Sequence, residues 1–164
     1  MKLGTRLLSE YLIKNCYPEI RYVRIHTTAK NTAVIYAWNE DLKLTDPEIT
    51  RLKRFAAGYL SPYVCFTVKE YRMIRTDQVP PVYDLPEHIM EAAMSRNLDQ
   101  HRILAVINRM LSNGELTFMK YDWQTGIIHF DLTVKHKVTD IEKDLIRQYL
   151  YELIPLGSRF ALDY

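Results

Sequence analysis

TDPEITRLKRFAAGYL (Thr45–Leu60) and TDIEKDLIRQYLYELI (Thr139–Ile154) begin 94 residues apart (45 and 139) and share one pattern. Each opens with Thr and places Glu three residues on. That spacing is a capping box, in which the Thr hydroxyl accepts from the Glu amide and the Glu carboxylate reaches back to the Thr amide. Acidic residues there also suit the positive end of a helix. Behind each box runs an apolar stripe at i, i+3, i+4, i+7 and i+8. It is Leu52, Phe55, Ala56, Tyr59 and Leu60 in the first, and Ile146, Tyr149, Leu150, Leu153 and Ile154 in the second. Two amphipathic helices in the same phase are expected. Capping also accounts for Asp46/Glu48 and Asp140/Glu142 without any acid–base role.

Upstream of each helix lie two strand-like runs. IRYVRI (Ile20–Ile25) and LTFMKY (Leu116–Tyr121) both place apolar residues at positions one, three, four and six. Polar turns follow, at Thr27–Asn31 and Asp122–Gly126, then AVIYAW (Ala33–Trp38) and IIHFDL (Ile127–Leu132). In this alignment His129 takes the place of Ile35. Downstream, each helix runs to a proline, Pro62 or Pro155, which cannot continue it. VCFTVKEY (Val64–Tyr71) and SRFALDY (Ser158–Tyr164) then read as closing strands. The leading helices align as Leu7, Leu8 and Tyr11 on Ile103, Leu104 and Ile107, with Leu7, Leu8, Tyr11 and Leu12 on one stripe.

These elements define an α+β fold. It is a tandem duplication of a helix–strand–strand–helix–strand unit, with two small sheets, or one continuous sheet, covered by helices. Residues 1–71 form the first unit and residues 100–164 the second. The stretch 72–99 is a linker with Pro80-Pro81 and an extra helix over Leu85–Arg96, Pro86 near its start. Asp99 caps the next helix. One unit of roughly 65 residues is near the lower limit for folding alone, so the two are expected to pack together.

A net charge of +2 is too small to demand a nucleic-acid or anionic-membrane partner. The N-terminal segment has no long uncharged apolar run, because Glu10 and Lys14 interrupt it, so neither a signal peptide nor a membrane span is expected. A cytoplasmic or virion location follows from that reading. Five glycines leave little for a phosphate-cradling loop. Cys16 and Cys65 lack metal-ligand spacing and read as free thiols, Cys65 buried on a strand and Cys16 at a helix end. His129 and His136 show no ligand spacing, and His129 reads as a structural histidine. No catalytic residue, metal site or cofactor is expected. Tyr22, Arg24, Trp38, Lys120 and Trp123 form the candidate interaction surface, since aromatic and basic side chains together suit stacking with charge. The basic run Arg51, Lys53, Arg54 aligns with Leu145, Arg147, Gln148, so a duplicated nucleic-acid face is not favoured.

The order of elements resembles ring-building α/β modules of secretion and sporulation assemblies. The closing segments RFAAGYLSPYVCFTVKEY and YLYELIPLGSRFALDY are similar to the helix–proline–strand ends of phage tail and baseplate proteins. Unit two departs from that spacing by one residue after Pro155. The resemblance implies a non-enzymatic structural or assembly protein with protein partners or self-association. The alternatives are a nucleic-acid-binding module on the strand residues, and an enzyme or small-ligand binder with a cleft between the units housing His129 and nearby tyrosines.

Overall fold

The structure is a computed structural model that describes residues 4–60, 63–72, 79, 84–96 and 98–164. The first unit runs α1 (Arg6–Cys16), β1 (Ile20–Ala29), β2 (Thr32–Asn39), α2 (Asp46–Phe55) and β3 (Cys65–Glu70), with a π-helical turn over Ala56–Leu60 after α2. A linking helix α3 (Glu87–Ala93) follows. The second unit repeats the order as α4 (Gln100–Asn108), β4 (Gly114–Asp122), β5 (Ile127–Val134), α5 (Asp140–Leu153) and β6 (Arg159–Asp163). Each unit forms its own three-stranded sheet, ordered β1-β2-β3 and β4-β5-β6. In each, a hairpin pairs antiparallel and the closing strand joins parallel through a helical crossover. Parallel neighbours need such a crossover.

Both capping boxes form as read. The Thr45 and Thr139 hydroxyls accept from the Glu48 and Glu142 amides, and both carboxylates reach back. Thr45 and Asn39 donate to Glu48, and their hydrogen bonds overcome the effect of burial and hold its carboxyl below the usual range. The stripe of α5 is buried throughout, and Ile154 turns extended just ahead of Pro155. Leu52 of α2 and Ala56 of the π-helical turn are buried, but Tyr59, read on the same stripe, is exposed, because the π-helical turn changes the helical phase there. Pro62 and Pro80-Pro81 lie outside the described residues.

The strand alignment shifts from the sequence reading. Val23 and Ile25 lie opposite Ala37 and Ile35, while Leu116 and Phe118 lie opposite Leu132 and Phe130. Val23 therefore matches Leu116, and Phe130, not His129, takes the place of Ile35. Side chains alternate along a strand, so a one-residue slip exchanges the two faces. Apolar residues at one, three, four and six fit either register, because bulges near Ile20 and Phe118 break the alternation.

The leading helices also shift. Thr5 and Asp99 are the N-caps, so Ser9 falls on Ile103 and Ile13 on Ile107. Tyr11 is 50% exposed and not on the core stripe. Arg6, Ser9 and Glu10 turn inward in its stead, because each finds a partner there. Cys65 is exposed, since Phe66 and Val68 take the inward positions of β3, and both cysteines are free.

Two cores result, one per unit, and each takes a residue from the other side. Leu156, after α5, is buried in the first unit's core. Leu7 of α1 packs against the second unit's core, which α3 joins through Ile89, Ala92 and Ala93.

Candidate functional site

Two features lie at the junction of the units, and they do not coincide. The first is a buried charge cluster. Arg6 of α1 forms an ion pair with Glu152 of α5, at 4% and 2% exposure, and its guanidinium lies over the Tyr151 ring at 4.9 Å. Glu10 sits one turn on and faces Arg6 at 3.6 Å and Arg24 at 3.2 Å. Its other role is on the backbone: Glu10 Oε1 accepts from the amide of Ile25 on edge strand β1 at 2.9 Å. An edge strand presents unpaired backbone groups, and the carboxylate satisfies one of them. Unit two meets the same need differently. Asn108 of α4 donates to the Leu116 carbonyl at 3.0 Å and accepts from its amide at 2.7 Å, as a neighbouring strand would.

Burial pushes the Glu10 and Glu152 carboxyls up, against the pull of Arg6 and Arg24. Burial, then the charge of Arg6, pushes His26 down. Perturbed groups of this kind often mark chemistry. Here the space beside them, lined by Arg6, Thr27 and Tyr151, is about 10 Å³, the room of one water and not of a substrate. The arrangement fastens α1 to α5.

The second feature is a cleft of about 360 Å³ where the β1–β2 turn meets unit two. Phe118, Ile128 and Phe130 form its floor, Pro155–Ser158 a wall, and Asn31 its lip. Tight backbone contacts set this wall. The Asn31 amide donates to the Gly157 carbonyl at 2.9 Å, and the Gly157 amide donates to Thr27 Oγ1 at 3.1 Å. Gly157 has φ 86°, and a Cβ there would stand 2.9 Å from Val64 Cγ2. Thr5 closes the seam from the other side. It pairs with Pro155 as a β-bridge and donates its hydroxyl to the Ala93 carbonyl at 2.6 Å.

The candidate interaction residues separate. Tyr22 and Trp38 stack at 4.5 Å, and Tyr71 stacks on both. Arg24, beside Tyr22 on β1, is buried against Glu10 and is no surface contact; the charge cluster holds it in. Lys120 is exposed and lies opposite His129. Trp123 is 67% exposed, and Lys30 of the other unit lies over its ring and donates to its carbonyl. His129 does not line the cleft. Alternation gives that role to Ile128 and Phe130, with Tyr121 beside them.

Arg6, Glu10 and Glu152 had a faint signal in the sequence. Arg6 and Glu10 are i, i+4 on a helix whose inward phase they occupy, and Glu152 sits next to buried Leu153. Nothing in the sequence joins residues 6 and 152.

No family model matches the chain, and no curated protein matches it. Two solved structures resemble it loosely, both of the periplasmic domain of the T3SS inner membrane protein PrgH from S. typhimurium. One is 15% identical over 97% of this chain and 70% of that one, with a TM-score of 0.35. The other, a shorter fragment, is 16% identical over 98% and 76%, also with a TM-score of 0.35. Likeness at that level says nothing of function. No helix among the described residues is long and apolar enough to cross a membrane.

Proposed function

We propose that this chain is a non-enzymatic interaction protein that works within a larger protein assembly, with residues 1–71 and 100–164 as its paired units. The observation that carries this reading is the outer groove between α4 and α5. Met110, Leu145 and Tyr149 line it beside Ile107 and Ile146. Ile141, one turn before Leu145 on α5, is 74% exposed. An exposed apolar strip, Ile141 and Leu145 on α5 with Met110 just after α4, suits the side chains of a partner. Strands β3 and β6 add a second opportunity, since among the described residues each pairs on one side. The finer version, a phage tail or baseplate component, rests on the helix–proline–strand endings and is tested by whether tail genes flank this one.

Light scattering over a concentration series tests the reading. Mass should rise with concentration in the wild type and stay at the monomer in Ile141→Glu/Leu145→Glu. A chain that stays monomeric at the highest concentration and captures no protein partner would sink it.

A further inference from the structure

The cleft beneath Asn31 has a chemistry of its own. Its 360 Å³ falls within the range of small-molecule sites, roughly 300–1,000 Å³. Phe118 and Phe130 meet edge to face under it, centroids 6.4 Å apart, with Ile128 beside them and buried Ile103 and Leu153 also lining it. Its polar side chains are Asn31, Asp99, Gln100, Tyr121 and Ser158, of which all but Ser158 are exposed and so stand toward the mouth. Asp99 is the one acidic group among the lining residues, and no lysine, arginine or histidine joins it there. Its carboxylate already accepts the Arg102 amide at 2.9 Å as the cap of α4. Ser158 is also engaged, donating to the Pro155 carbonyl at 2.5 Å.

The geometry points to a binding site for a small, uncharged aromatic molecule in this cleft. Its rings lie against half-buried Phe118 and Ile128, with Phe130 buried behind them, and one neutral hydrogen-bonding group meets Asn31 and Gln100. Aromatic faces and edges favour a ring over a flexible chain. The Asp99 carboxylate at the mouth opposes an anion, and an apolar floor gives that anion nothing in exchange for its water. The inference goes beyond the assembly reading and stands apart from it, because a monomer can bind the molecule.

Two dyes with the same rings test the charge rule. N-phenyl-1-naphthylamine is neutral, and anilinonaphthalene sulfonate adds one negative charge to it. The neutral dye should bind the full chain one to one with blue-shifted emission. The sulfonate should bind about tenfold more weakly. Gln100 is exposed on the first turn of α4, so Gln100→Trp should fill the mouth and abolish binding while circular dichroism stays unchanged. Asp99→Asn keeps a good helix cap and should narrow the gap between the dyes. Three results would each overturn the assignment. These are no binding of the neutral dye, several equivalents bound and unmoved by Gln100→Trp, or equal affinity for both dyes in the wild type and in Asp99→Asn.

Discussion

The two sheets share one strand order, yet their outer faces differ. In the first, Tyr36 and Arg24, on the face turned away from Ile25 and Ile35, are buried. In the second, their counterparts Thr117 and Asp131 are half-buried, and Lys120 and Thr133 on the same face are open to solvent. The leading helices differ in the same sense. Where α4 turns Ile103 and Leu104 toward its core, α1 turns Ser9 and Glu10. The same backbone unit thus tolerates buried charge in one copy and apolar packing in the other. The difference lies in where the partners come from. Glu10 and Arg24 answer each other within the first unit, but Arg6 needs Glu152 of the second. Charge in the first copy thus adds to the apolar and backbone contacts that fasten it to its neighbour.

Removing Glu152 should break the comparison most severely. Glu152→Ala leaves the buried Arg6 guanidinium with only its longer contact to Glu10, at 3.6 Å, and should cost about 3–5 kcal/mol in urea unfolding, while Arg6→Met/Glu152→Met should recover most of it. A loss under about 1 kcal/mol would mean the pair is a solvated contact. Leu156→Ala comes next. It empties a site in the first core from a loop of the second unit and should cost about 2–5 kcal/mol. Unfolding followed by fluorescence and by circular dichroism should still coincide, and two separated transitions would show that the units fold independently.

Thr45→Ala and Thr139→Ala sharpen the likeness instead. Both capping boxes have the same reciprocal backbone bonds, so each substitution should cost about 1 kcal/mol, with Thr45→Ala the larger because the Thr45 hydroxyl also donates to the buried Glu48. A larger loss from Thr139→Ala would show that this added bond contributes nothing. The smallest effect concerns pH. His26 is held below its ordinary value, so the folded chain favours the neutral ring. As pH falls through about 6.5 the unfolded chain takes up that proton first. His26 stability is therefore intact above that pH and lost as pH drops through the folded value. The raised Glu10 and Glu152 run the other way: their contribution is present at acid pH, below the unfolded value, and is lost as pH rises through their folded values. His26→Asn should flatten the fall in urea midpoint between pH 7.5 and 5.5 relative to wild type. An unchanged slope would remove His26 from the account.

The repeat was legible because capping and helix periodicity are local. Thr45 with Glu48, and Thr139 with Glu142, state their helix in four residues. Strand faces were harder. Ile20–Ile25 and Leu116–Tyr121 carry the same apolar spacing, but a bulge in each sheet lets one spacing serve two registers, so spacing alone puts His129 on the wrong face. The junction was least legible. Arg6 and Glu152, or Asn31 and Gly157, meet through tertiary packing that no short-range pattern encodes. A lone arginine on a strand usually lies at the surface, and the partner of Arg24 on α1 makes it the exception.

Gly157 carries a consequence for descent. By the alignment of β3 with β6, in which Phe66 matches Phe160, the residue of the first copy in its place is Tyr63. A chain made of two first copies would drive a phenol ring toward Asn31 and Val64, where even one added carbon lacks room. The halves have ceased to be interchangeable, and each now serves as the mould in which the other is cast.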